Sequence, residues 1–131
     1  MKYLGIDYGE KRIGISVSDD GGVIAFPHTT IENTVSILSD IKKICDIQKP
    51  VQIIIGMPMM IGGASPLMRA IERFGEDLSQ CTYIPVVYEN EIFTTKMAMR
   101  DGAKKNTVDQ SSAALILQSY LDRQIKEDIV Y

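Results

Sequence analysis

The spacing of apolar and polar positions divides the chain into an opening stretch of period two and a longer stretch in which short apolar runs alternate with helical patterns. Tyr3 to Asp7 is an apolar run ending at a turn near Gly9. Ile13, Ile15 and Val17 then alternate with Gly14, Ser16 and Ser18, the spacing of a strand. Asp19-Asp20-Gly21-Gly22 is a turn cluster and Val23 to Phe26 begins a return, so residues 3–31 read as an antiparallel meander of three strands. Beyond it the period lengthens. Ile37, Leu38, Ile41, Ile44 and Cys45 fall at helical spacing, with Asn33 as the expected cap. Val51-Gln52-Ile53-Ile54-Ile55 is the kind of run that forms a strand covered on both faces. Ser65-Pro66 suits a helix start, a serine cap with proline in the first turn, and Leu67, Ile71, Phe74 and Leu78 make one stripe behind it. Ile84 to Tyr88 predicts the fifth strand. Thr94 to Arg100 predicts a short helix stopped near Gly102, and Thr107-Val108-Asp109-Gln110 fits a capping box for a last helix through about Ile125.

Three strands followed by alternating helices and strands predict an α/β fold, a mixed five-stranded sheet flanked by helices. The early strands pair antiparallel, and the later ones join by right-handed crossovers and pair parallel. The 131 residues supply one domain, residues 1–131, and are too few for two lobes.

This order brings acids together. Asp7 ends the first strand, Glu91 lies just past the last, and Asp109 falls in the expected first turn of the last helix. Sites in open α/β sheets gather at the carboxyl ends of strands. Asp109 also continues the stripe of Ala113, Ile116 and Tyr120, the side expected to face the sheet. Three carboxylates aimed at one spot repel one another unless a cation lies between them, and oxygen donors suit Mg²⁺ or Mn²⁺. Two such ions about 4 Å apart support phosphodiester cleavage, which is the chemistry inferred. Each acid alone has an ordinary explanation: a helix dipole for Asp109, a turn for Asp7, a solvated surface for Glu91. Their convergence is what favours the site.

Composition narrows the remaining choices. The net charge of −3 and pI near 5.1 lack the basic excess of a general nucleic-acid binder, so phosphate contacts must come from local clusters. Lys11 and Arg12 beside Asp7 are one such cluster, and Lys96, Arg100 and Lys104, spaced by four, are another. Lys42-Lys43 reads as plain surface. Tyr8 could stack on a base or simply pack. The lone His28 has no partner at ligand spacing, and Met57, Met59 and Met60 read as gap-filling core. Cys45 and Cys81 are far apart and read as small buried hydrophobes rather than a zinc site. No apolar run reaches the ~20 residues of a membrane helix and the N-terminus lacks a signal-peptide pattern, so a cytoplasmic location is expected, with no membrane partner. No strong dimer signature is present, leaving a monomer or weak homodimer.

The chain resembles the YqgF/RuvX family of Holliday junction resolvase-like proteins, also described as pre-16S rRNA nucleases. Leu4-Gly5-Ile6-Asp7-Tyr8-Gly9 with Lys11-Arg12-Ile13-Gly14 resembles the family's opening, Gly56-Met57-Pro58 its Gly-Leu-Pro loop, and Val108-Asp109 with Ala113 to Leu121 its closing helix. The resemblance covers almost the whole chain. It implies an RNase H-like fold, Asp7, Glu91 and Asp109 as catalytic metal ligands, and metal-dependent phosphodiester hydrolysis acting on structured RNA or branched DNA. The implied role is processing of the 5′ end of pre-16S rRNA in ribosome biogenesis. Thr94 and Thr95 match the family's Thr-Thr and join Lys11, Arg12, Lys96 and Arg100 as substrate-binding candidates.

Departures are local. Where the family reads Asp-Glu-Arg-Leu-Thr-Thr, this chain has Asn90-Glu91-Ile92-Phe93-Thr94-Thr95, which removes a bidentate phosphate binder. Met59-Met60-Ile61-Gly62-Gly63 replaces a more polar loop. Glu89 shares a strand face with Glu91 and is an alternative ligand. These changes keep open a second reading, a catalytically weak nucleic-acid-binding module of the same fold. A third, an actin- or sugar-kinase-type ATPase, shares the Gly5-to-Gly9 motif but needs a second lobe.

Overall fold

The computed structural model describes residues 1–58, 63, 65–91 and 111–129. Strands β1 (Tyr3–Asp7), β2 (Arg12–Ser18) and β3 (Ala25–Glu32) come first, followed by helix α1 (Ile37–Gln48), β4 (Gln52–Met57), α2 (Pro66–Thr82), β5 (Val86–Asn90) and α3 (Ser112–Ile129). They build a five-stranded sheet of order β3-β2-β1-β4-β5. β1 pairs antiparallel with β2, β2 antiparallel with β3, β1 parallel with β4, and β4 parallel with β5. This is the topology the periodicity predicts.

The two faces of the sheet are covered differently. Leu4, Ile6, Ile13, Ile15, Ile53 and Ile55 point to one face and pack with Ile37, Ile41 and Cys45 of α1 and Ile71, Phe74 and Leu78 of α2. Ile54 points to the other, where Ile116, Leu117 and Leu121 of α3 bury it. Every one of Ile53, Ile54 and Ile55 is therefore fully buried, as a strand covered on both faces requires. Each large aliphatic side chain so buried contributes about 1.5–3 kcal/mol.

α3 approaches the sheet closely because glycines lie under it. A Cβ added to Gly5 would lie 2.3 Å from Ser16 Oγ, 2.7 Å from Leu117 Cβ and 3.0 Å from the Ala113 carbonyl. One added to Gly56 would meet Ile116 Cδ1 at 2.5 Å. At Gly5 no larger residue fits without moving the helix.

Several expected boundaries differ. Asn33 does not cap α1; Ser36 holds that position, while Asn33 Nδ2 donates to the Gly9 carbonyl at 2.9 Å and ties the loop after β1 to the end of β3. A short amide side chain readily takes such a backbone bond in place of a cap. Ser65 does cap α2, its Oγ accepting from the Met68 N–H at 3.1 Å, with Pro66 in the first turn. Leu67 leaves the expected stripe and is 41% exposed. β5 begins two residues later than predicted: Pro85 has no N–H for the ladder and contributes only its carbonyl, to Ile53 N. α3 starts at Ser112, with Ser111 Oγ accepting from the Ala114 N–H at 3.1 Å, so the capping box expected at Thr107 is not the one that starts this helix. α3 also runs past the expected Ile125, to Ile129.

Candidate active site

Ile6 and Ile13 point into the α1–α2 core, so alternation puts Asp7 and its partner Gly14 on the opposite, α3-facing side. A Cβ on Gly14 would lie 3.7 Å from Asp7 Cβ and 3.5 Å from Ala113 Cβ, which places Asp7 beneath the first turn of α3. Gly56 of β4 is next in line: Ile6 pairs with Ile55, and Gly56 with Glu89 of β5. Glu91 follows β5 directly and turns its carboxyl back over Gly56, with Oε1 3.1 Å from where a Cβ there would sit. The missing side chain at Gly56 is thus the opening that lets Glu91 face Asp7.

The electrostatics agree with that geometry. Partial burial raises the Asp7 carboxyl above its ordinary value. Burial, and after it the negative charge of Asp7, raise Glu91 in the same way. Two hard oxygen donors that repel each other and hold protons too tightly form a donor pair suited to a divalent cation such as Mg²⁺ or Mn²⁺. Among the described residues no group of three or more His, Cys, Asp or Glu side chains converges.

The remaining candidates divide sharply. Asp109, Thr94, Thr95, Lys96 and Arg100 lie outside the described residues, as do Met59 and Met60. The first described turn of α3 begins at Ser112. Lys11 and Arg12 are exposed, and with Glu10, Glu32, Asn33 and Thr34 they line a shallow hollow. Arg12 alternates with buried Ile13 and so falls on the Asp7 side of β2. Tyr8 is a packing residue, its ring 5.0 Å from that of Phe74. His28 is exposed on edge strand β3, and Met57 packs against the main core.

Glu89 is not a spare ligand. It is fully buried, its Oε2 accepts from Ser119 Oγ at 2.8 Å, and its Oε1 accepts from the Arg123 guanidinium. Sequence reasoning placed Glu89 on the correct face but missed these partners. The available signal was the pair Ser119 and Arg123, four apart and so on one side of α3.

A mixed sheet of this order, with one acid ending its first strand and another just past its last, defines an RNase H-like domain. Comparisons with known proteins place it more finely. The RuvX family, described as Holliday junction resolvase, matches residues 1–123. A protein of Caldanaerobacter subterraneus subsp. tengcongensis named "Putative pre-16S rRNA nuclease" is 37% identical, over 95% of this chain and 98% of its own length. A protein of Syntrophus aciditrophicus with the same name is 36% identical over 98% and 93%. Among solved structures, T. thermophilus RuvC in complex with a Holliday junction substrate superposes with a TM-score of 0.66 at 12% identity, covering 95% of this chain and 96% of that one. The ROK hexokinase of Thermus thermophilus shares the fold over 76% of this chain but only 38% of its own, at 18% identity and a TM-score of 0.51. This chain belongs to the RuvX family, a family of nucleases.

Proposed function

We propose that the chain is a metal-dependent phosphodiester hydrolase that trims the 5′ end of pre-16S rRNA during ribosome biogenesis in the cytoplasm. The observation that carries this reading is the facing of Asp7 and Glu91 across Gly56, each holding its proton more tightly than a free carboxyl. The substrate follows from the names of relatives near 36% identity along nearly their whole length.

Asp7 and Glu91 would hold Mg²⁺ or Mn²⁺, with Asp109, which lies outside the described residues, as the third ligand that the sequence motif implies. Two bound ions would supply an activated water and stabilisation of the leaving oxygen. Asp7, fixed at a strand end beneath α3, would anchor one side of the site. Glu91 closes the opposite side of the opening. Lys11 and Arg12 would grip the flanking backbone phosphates, joined by Thr94, Thr95, Lys96 and Arg100. Branched DNA is the second reading, favoured by the description of the matching family.

The test is cleavage of a 5′-extended 16S precursor, a single-stranded RNA and a four-way DNA junction with Mg²⁺, Mn²⁺ or EDTA. Metal-dependent cutting of the precursor, lost in Asp7→Asn, is expected. Preferential cutting of the junction would move the assignment to DNA. Binding without cleavage would establish the inactive module instead.

A further inference from the structure

Glu89, Ser119 and Arg123 form a buried polar cluster that joins the end of β5 to the middle of α3. A glutamate with no exposed surface is costly, and an apolar residue of similar size often fills such a place with no loss or a gain in stability. Directional contacts differ from apolar packing in one respect: they fix where one element sits along another. Three facts say what is being fixed here. Glu89 pairs across the sheet with Gly56, the residue over which Glu91 turns. Glu91 is two residues beyond Glu89. The same helix that receives Glu89 at Ser119 and Arg123 lies at its other end over Gly14 and Asp7. α3 is therefore attached to the sheet both beside Asp7 and, through Glu89, two residues before Glu91.

We propose that Glu89, with Ser119 and Arg123, is a positioning residue for the acid pair: it locks β5 to α3 in the register that aims Glu91 at Asp7. The proposal rests on the nuclease reading above. Groups that orient metal ligands typically change metal affinity or activity by about 10–100-fold when removed. Glu89→Gln keeps the shape and a bond to Ser119 but breaks the ion pair with Arg123. Arg123→Met alone would strand a buried charge and threaten folding, so it is paired with Glu89→Gln.

The experiment measures Mn²⁺ binding by electron paramagnetic resonance, precursor cleavage and thermal melting, for wild type, Asp7→Asn, Glu89→Gln and Glu89→Gln/Arg123→Met. Expected are about tenfold weaker Mn²⁺ binding and a lower kcat at saturating metal in Glu89→Gln, with KM for RNA unchanged. The double variant should match the single one, because Arg123 acts through Glu89. Reduced melting temperature with wild-type Mn²⁺ affinity and kcat well below melting would overturn the proposal, leaving an ordinary stabilising contact. A double variant far worse than the single one would overturn it too, since Arg123 would then act on its own. If wild type itself neither binds Mn²⁺ nor cleaves, the nuclease reading has failed and the positioning role falls with it. An active wild type with unaffected variants rejects the positioning role alone.

Discussion

Ser16 Oγ donates a 2.7 Å hydrogen bond to the carbonyl of Ala113, 97 positions away in sequence, within the gap left by Gly5. This one bond ties β2 to the first turn of α3, directly beside Asp7.

Gly5→Ala should therefore break more than a local fit. Its methyl would meet Ser16 Oγ, Leu117 Cβ and the Ala113 carbonyl at or within 3.0 Å, two of which belong to α3's helical body. A stability loss of about 1–3 kcal/mol is expected from overpacking, with cleavage reduced more than melting alone explains. Ser16→Ala should cost about 1 kcal/mol, the worth of the lost bond, since the Ala113 carbonyl keeps its partner within the helix. Denaturant titrations beside single-turnover cleavage separate the two effects.

Gly56→Ala should act on chemistry. The flexible end of Ile116 can yield to the new methyl, but Glu91 Oε1, 3.1 Å away, is displaced from its place opposite Asp7. A fall in kcat of about tenfold or more is expected, with a small change in melting. Wild-type turnover in this variant would mean that Glu91 works from elsewhere.

The acid pair gives stability a definite pH sign. Asp7 and Glu91 both have native pKa values above their ordinary 3.8 and 4.5, so the metal-free native state binds protons more tightly than the unfolded chain. Their contribution is neutral below those ordinary values. It becomes destabilising as pH rises through the elevated native ones. Asp7→Asn should thus stabilise the metal-free protein near neutral pH by at most about 1 kcal/mol, given partial hydration, and lose that advantage in acid. With Mn²⁺ present the order should reverse, because bound metal stabilises only the form that holds it. Calorimetric scans from acid to neutral pH, with and without Mn²⁺, check both signs.

Lys11→Ala/Arg12→Ala should leave folding intact, since both side chains are exposed and neither forms an ion pair among the described residues. KM for RNA should rise about tenfold while kcat stays within about twofold. The slope of log affinity against log salt should flatten by about 1–2, roughly one for each backbone phosphate that the variant no longer neutralises. An unchanged slope would place the substrate path away from the β1–β2 connection.

The topology was legible because each strand carried its own signature: alternation in Ile13-to-Val17, whose other face holds the small Gly14 and Ser16 under α3, and an unbroken Ile53-Ile54-Ile55 between two apolar layers. Helix ends were less legible. Asn33 and Ser36 are both good caps by residue type, but Asn33 is bonded to the Gly9 carbonyl and Ser36 holds the cap position without a side-chain bond to the helix. The pairing of Asp7 with Glu91 was readable from the carboxyl-end rule for sheets. The different fate of Glu89 was not, because it is set by Ser119 and Arg123, 30 and 34 positions later. Asp109, Thr94, Thr95, Lys96 and Arg100 lie outside the described residues, and their part in the site stands on sequence alone.

The covering of one whole sheet face by a helix that begins at Ser112 also sets an order of events during synthesis. A ribosome must translate well over a hundred residues before Ala113, Leu117 and Leu121 exist to close over Gly14, Gly5 and Ile54. Until then the nascent chain carries Asp7 and Glu91 on an open sheet with an uncovered apolar side, a state prone to association. Closure over Asp7 and Glu91 thus waits on the last of the described elements to be made, after all five strands and the two helices of the other face.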